Sequence, residues 1–443
     1  MCRATTVIVT MCAAVALSSR SARAQSSTTL VDQMSNLFQN SVVLAKTPAG
    51  VGVAAHTPVF TDDPRTKDTL FLINQVSSQI GSQVSTFPVG SSAGGFTYAY
   101  DAALGTFTRS TQTFGPAFAE RAPTIGKGKF SFGMNYVHAK YGTLDGKNLE
   151  NGDIKINLLH QTLSPPSFVE GDVIQTSVGM KLSSDITAFL FNYGVTDRLD
   201  IGLAVPIVRV SMDLTYHATI LDFATHGVAP TTHVFANGGK TQDFNTQGSA
   251  SGVGDLLVRG KYSFPKTGAV GTAVGVDLHL PTGDDQNMLG SGTAQTEVFA
   301  ILSGNAGNRV APHLNIGYTF AGKGAGIVPV SNQFNYVGGL EVNVTPGVTI
   351  VGDFIGRRLD STLRLSTVSS PHTFQQGQTA PVETTTLTSA GEGLGSLTSV
   401  LGTAGVKFNP WRNLLISAHV LFPMNDAGLR SKPAPVIGFD YAF

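Results

Sequence analysis

From about Lys127 to the C-terminus the chain is a succession of segments in which every second residue is apolar. Phe130, Phe132, Met134 and Tyr136 alternate with Ser131, Gly133 and Asn135. Val270, Val274, Val276, Leu278 and Leu280 alternate with Gly271, Ala273, Gly275, Asp277 and His279, and Leu314, Ile316, Tyr318 and Phe320 with His313, Asn315 and Thr319. Successive side chains of a strand point to opposite faces, so each segment predicts a strand with one greasy face and one small or polar face. The pattern recurs at 256–264, 336–344, 348–354, 400–408 and 414–422. Each segment is close to the ~9–11 residues of a tilted strand that crosses a bilayer. The last ten residues repeat it: Ile437, Phe439, Tyr441 and Phe443 share one side, Val436, Gly438, Asp440 and Ala442 the other. Chain ends of soluble domains usually fray into water, whereas a strand with aromatics outward suits the closing strand of a membrane barrel.

The connections alternate as well. Short turns at 194–198, 265–268, 304–308, 345–347 and 409–412 are separated by long polar stretches at 217–252, 281–293, 321–332, 360–395 and 423–432. Tight periplasmic turns and longer external loops are the outer-membrane layout. The five turns join ten strands, and a first strand near Lys129 and a last one ending at Phe443 make twelve. The count becomes fourteen if Asp153–Gln161 or an early hairpin enters the wall. One segment changes parity: Leu199, Ile201, Leu203, Val205 and Ile207 share a face, but beyond Pro206 the apolar set is Val208, Val210, Met212 and Leu214. Proline cannot donate to a ladder and a bulge shifts register by one residue, so Pro206 is the predicted bulge.

Before this region the period is helical. Leu30, Met34, Leu37, Phe38 and Val42 recur at three- and four-residue steps, as do Leu70, Ile73, Val76, Ile80 and Val84 behind Asp62-Asp63-Pro64. Residues 94–112 read as a hairpin. At the start, Arg3, an apolar run from Thr5 to Leu17 and Ala22-Arg23-Ala24 match a secretory signal. The predicted organisation is a signal at 1–24, a periplasmic or lumen-plugging segment at 25–93, a hairpin and connection at 94–126, and a barrel at 127–443.

Composition agrees with an all-β transmembrane antiparallel barrel carrying a small helical N-terminal segment. Charged residues make up 13% of the chain, about half the ~25% of soluble proteins. An apolar chain without a spanning helix satisfies its backbone in lipid by closing a barrel. The net charge of +0 offers no field for nucleic acid. Cys2 and Cys12 would both leave with the signal, so no disulfide framework or thiolate metal site is expected.

Four runs carry a resemblance to a known family: Ser183 to Ala188, Tyr193 to Gly202, Leu280 to Gly292 and Gly438 to Phe443. The chain resembles the "putative MetA-pathway of phenol degradation" family of outer-membrane transporter-like barrels, over about Phe96 to Phe443. That family is similar to the uptake channels for fatty acids and aromatic hydrocarbons. The resemblance implies passage of small hydrophobic or aromatic molecules across the outer membrane. It also implies recognition of the last strand, through Phe439, Tyr441 and Phe443, by the barrel-assembly machinery.

Strand parity turns a set of ionisable residues inward: Asp255, Arg259, Lys261, Asp277, His279, Glu297, His313, Glu341, Asp353, Arg357, Lys407, His419 and Asp440. Charges inside a membrane protein face the interior and pair, so they either brace the wall or set pore polarity. For an apolar solute the path would be lined by Gly271, Ala273, Gly275, Val337, Val351 and Ile355. Residues 283–286 and 145–153 are acidic loops without EF-hand spacing. No Gly-x-Ser-x-Gly, His-Glu-x-x-His or phosphate loop is present. Asp277 and His279 form the best pair for an alternative hydrolase reading. A secreted β-rich binding protein is a further alternative, and the apolar stripes count against it. No cofactor or metal is expected; the expected partners are outer-membrane lipid, the assembly machinery and a small hydrophobic solute.

Overall fold

A computed structural model describes residues 28–41, 44, 45, 60, 64–88, 90, 91, 95–101, 106–109, 111–160, 171–223, 233–307, 309–322, 330–375, 380–411 and 413–443. The predicted signal lies outside them. Two helices come first, α1 (Leu30–Ser41) and α2 (Pro64–Ser85), then a separate hairpin of β1 (Tyr98–Asp101) and β2 (Thr106–Arg109). The remaining strands are β3 (Phe130–Leu144), β4 (Lys147–Asn148), β5 (Ile154–Leu159), β6 (Val173–Gly194), β7 (Leu199–Leu221), β8 (Thr241–Val253), β9 (Leu256–Ser263) and β10 (Val270–Leu280). They continue as β11 (Gln295–Gly304), β12 (Val310–Ala321), β13 (Gln333–Thr345), β14 (Val348–Gln375), β15 (Val382–Trp411), β16 (Leu414–Pro423), β17 (Leu429–Ser431) and β18 (Ala434–Ala442).

The wall is a closed antiparallel barrel of twelve strands: β3, β6, β7, β9 through β16, and β18. It closes because β3 pairs on one side with β6 and on the other with β18. Closure removes sheet edges and satisfies every spanning ladder internally. The fourteen-strand alternative fails on pairing. The early hairpin is a sheet of its own, and β5 pairs only with the far end of β6.

Outward positions near the closing seam and the tight turns are apolar and bare. Ile201, Leu203, Val276, Leu278, Ile316, Leu340, Ile350, Val420 and Ile437 are all exposed. Such a continuous apolar girdle belongs in acyl chains, because in water it would be an aggregation surface. Aromatic rings mark its edges: Tyr193, Tyr262, Phe264, Phe408, Trp411, Tyr441 and Phe443 at the tight-turn side, Tyr136, Phe320, Phe334 and Phe422 at the other. Among the described residues no helix is long and apolar enough to cross a membrane.

Four strands are far longer than a crossing requires: 22 residues in β6, 23 in β7, 28 in β14 and 30 in β15. Parts of 217–252 and 360–395, expected as loops, are therefore ladder. Pro206 is also explained differently. Its strand keeps unbroken register with β6 (Phe189↔Val205, Ala188↔Pro206, Thr187↔Ile207) and its even residues stay buried from Asp200 to Ile220. The extra residue lies opposite, between β8 and β9, where Ile207 faces Val253 but Ala204 faces Leu257. What changes at Pro206 is the surroundings. Below it the outward side meets lipid, and above it the outward side meets water while the inward side meets α1 and α2.

Candidate functional site

The helices pack inside the long-strand end of the barrel. Leu30, Met34, Ile73, Val76, Ile80 and Val84 share one core with the inward faces of the strand extensions, including Met180, Leu182, Val210, Met212, Leu363 and Leu365. Polar contacts fix their position. The Tyr216 hydroxyl donates to the Met34 carbonyl (2.9 Å), Gln79 Nε2 to the Leu363 carbonyl (2.5 Å), and the Leu429 N–H to Gln83 Oε1 (2.7 Å).

A second element crosses the tight-turn half. Residues 113–125 form a strap, interrupted by Pro116 and Pro123, that joins no sheet ladder; its backbone partners among the described main-chain groups include the N–H of Ser91, which donates to the Ala117 carbonyl (3.1 Å), and that of Tyr98, which donates to the Ile125 carbonyl (3.2 Å). Inward side chains of the wall take up most of its N–H groups, as buried peptide groups require. The Gly115 N–H donates to Glu341 Oε2 (2.8 Å), and those of Ala117 and Phe118 to Asp353 Oδ2 (both 2.9 Å). The Glu120 N–H donates to Asn315 Oδ1 (2.6 Å), that of Ala122 to Ser303 Oγ (2.8 Å) and that of Ile125 to Asp200 Oδ2 (3.0 Å). In the other direction Lys407 Nζ donates to the Pro116 carbonyl (2.7 Å), and Lys261 Nζ to those of Arg121 and Pro123 (both 3.1 Å). Gly115 is required by geometry: its φ is +83°, and a Cβ would lie 2.6 Å from Arg121 Nη2.

Most inward charges therefore hold the strap or each other. His313 Nε2 and Asp353 Oδ1 are 2.7 Å apart, and Glu341 Oε1 lies 3.7 Å from His313 Nδ1 and 3.8 Å from Arg121 Nε. Lys261 Nζ is 3.4 Å from Asp200 and 3.6 Å from Glu120. Arg259 pairs with both oxygens of Asp277 and with Glu120. His419 packs over Gly405, and Asp440 over Gly133. Asp255 sits at the break between β8 and β9. It accepts from the Gly283 N–H (3.0 Å), the Ser291 N–H (2.7 Å) and the Ser291 hydroxyl (2.6 Å), which pins the 281–294 loop.

Between helices and strap lies a cavity of about 250 Å³ with two unlike walls. Ile186, Ala204, Pro206, Val208 and Leu257 make one side; Arg259, Asp277, His279, Glu297, Asn335 and Arg357 make the other. Arg357 Nη1 donates to the Thr86 carbonyl (3.0 Å), where the chain leaves α2. Val337 and Ile355, expected from parity, line this chamber, whereas Gly271 lines a second cavity of about 560 Å³ beneath the strap. Ala273 packs on Ala122, Phe299 and Ile301, Gly275 lies under the Phe299 ring, and Val351 is buried. Asp277, His279 and Glu297 bring ligand atoms within 4.8 Å of one another. The Arg259 guanidinium on Asp277 occupies the charge a cation would take.

Sequence reasoning missed the strap's own residues Glu120 and Arg121, the wall residues Asp200 and Asn315 that hold the strap at Ile125 and Glu120, and the apolar wall of the chamber. Asp200 was within reach, since it alternates with Leu199 and Ile201. The strap gives no periodic signal, because it is neither helix nor strand.

The model of the family described as "Putative MetA-pathway of phenol degradation" matches residues 166–367. That stretch contains three of the four runs that carry the resemblance; the closing run, Gly438 to Phe443, lies beyond it. No curated protein matches the sequence. Among solved structures, an outer membrane channel from Pseudomonas putida F1 is similar at 13% identity and a TM-score of 0.45, covering 73% of this chain and 99% of that one. A FadL homologue from Pseudomonas aeruginosa is similar at 12% identity and 0.31, covering 79% and 94%. The toluene transporter TbuX of Ralstonia pickettii is similar at 15% identity and 0.29, covering 81% and 99%.

Proposed function

We propose that this barrel is an outer-membrane channel through which small hydrophobic or aromatic molecules diffuse. The observation that carries the reading is the chamber enclosed by a lipid-facing wall, with a continuous apolar side from Ile186 to Leu257 opposite a row of polar groups. An apolar ring gains by leaving water for the first side, roughly 25 cal/mol per Å² of surface buried, and the second side accepts a hydroxyl. The family match through 166–367, tied by description to phenol degradation, supports an aromatic cargo. In the same reading the exposed Ile, Leu and Val girdle is held by outer-membrane lipid, and the assembly machinery recognises Phe439, Tyr441 and Phe443.

The hydrolase alternative is weakened by one contact pattern. Both oxygens of Asp277 accept from Arg259, and among the described residues no hydrogen bond joins Asp277 to His279, so the pair lacks the contact by which a carboxylate orients a general base. Proteoliposomes test the channel directly. Toluene and alkylphenols are expected to enter faster than sugars of equal size, and Leu257→Asp is expected to slow the apolar solutes selectively. Entry ranked by size alone would remove the hydrophobic-solute reading.

A further inference from the structure

The cross-strand register lays out the exterior of β3, β6 and β7 in rows. Tyr136, Thr187 and Ile207 form the last row of the apolar girdle. The next row reads His138, Asp185, Arg209, and the one beyond reads Lys140, Ser183, Ser211, followed by Lys181 beside Asp213. Strands lie ~5 Å apart and outward rows ~7 Å apart, so Lys140, Lys181 and Arg209 fall within roughly 8 to 15 Å of one another. All three are exposed. Lys432 joins them: its N–H donates to the Lys140 carbonyl (2.7 Å) and its Nζ pairs with Glu150 (2.7 Å). The hydrogen bond from Lys432, aided more weakly by Lys181 and Lys140, holds the Glu150 carboxyl below its usual range. Among the described residues, the corresponding outward positions around the rest of the rim include Gly322, Asn332, Thr398 and Met424, with Arg358 the one cation beside these. Directly above the patch is a groove of about 410 Å³ lined by Ser177, Lys181, Asp213, Thr215, His217 and the 150–152 loop.

We propose that this face binds the phosphorylated saccharide headgroup of an outer-leaflet glycolipid. The phosphates would meet Lys140, Lys181, Arg209 and Lys432, and the sugar hydroxyls the groove above. Two independent features point there. The cations occupy the first polar rows beyond the acyl girdle, the level at which a lipid headgroup lies, and three of the four crowd onto the adjacent strands β3, β6 and β7, with Lys432 bonded beside Lys140. Cations alone would suit any phosphate. The interleaved Asp185, Asp213 and Glu150 repel a bare phosphate but accept hydrogen bonds from hydroxyls, so the patch fits a phosphosugar better than a phosphodiester lipid. The proposal rests on the reading above in seating the barrel in the outer membrane; the long-strand side faces outside the cell, as the longer external loops of such barrels imply.

The test uses the full chain in mild detergent with three probes: lipopolysaccharide carrying both lipid A phosphates, the same glycolipid with those phosphates removed, and phosphatidylglycerol. Native mass spectrometry is expected to show lipopolysaccharide retained in preference to both others. Lys140→Glu combined with Lys181→Glu is expected to weaken retention by roughly tenfold or more, the effect of losing one or two charge-assisted contacts, while Arg358→Glu leaves it unchanged. Equal retention of all three probes, undiminished binding by the double variant, or an equal loss with Arg358→Glu would overturn the proposal. Solute flux through the double variant is expected to match the wild type, which separates headgroup recognition from conduction.

Discussion

At the scale of single residues, the lumen shows how one side chain can serve three donors. The Asp353 carboxylate takes two strap amides on one oxygen and His313 on the other. Truncating it strands all three donors in a buried site, and breaking a buried charged network costs on the order of 3–5 kcal/mol. Asp353→Ala is therefore expected to lower the thermal unfolding midpoint clearly, whereas Asp353→Asn keeps acceptor capacity and loses less. Calorimetry in detergent compares the two, and equal losses would mean that charge alone matters there. Strand parity placed Asp353, Glu341 and His313 inside the barrel. It could not name the partners of the two carboxylates, because the strap amides that Asp353 and Glu341 serve lie more than two hundred residues away in sequence and carry no side-chain signature.

At the scale of elements, β7 holds the clearest lesson. Its apolar residues are odd-numbered up to Ile207 and even-numbered from Val208, which from sequence reads as a register flip. The ladder instead continues straight and the strand leaves the bilayer. The same outward face should therefore respond to charge in two ways. Leu203→Lys, inside the girdle, is expected to cost ~2–4 kcal/mol if it lies near the bilayer midplane and less toward its edge, and Thr215→Lys, six outward positions on, close to nothing. Chemical unfolding from lipid vesicles measures both, and matched losses would disprove the change of surroundings. The twelve strands were legible because a lipid-facing stripe imposes period two on each. The outer reaches of β14 and β15 were not, since a ladder wet on its outer side alternates polar with polar and resembles a loop.

At the scale of the whole molecule, the strap divides the interior into an upper chamber and a lower cavity, so a solute bound between them must displace it or pass beside it. Ala122 and Gly271 face each other, and a Cβ at Gly271 would lie 3.3 Å from that of Ala122. This separation is near disulfide geometry. Introducing cysteine at both positions is expected to join strap to wall, lower apolar solute flux under oxidising conditions and restore it on reduction. Flux indifferent to the redox state would route the solute around the strap. The strap's path also bears on biogenesis. The helices lie toward one mouth of the cylinder while β3 starts at the other, so the polypeptide runs through the ring before becoming part of it. Joining β3 to β18 then does more than complete a sheet: it sews shut a sleeve with its own thread already inside, which makes that seam the natural last stitch of assembly.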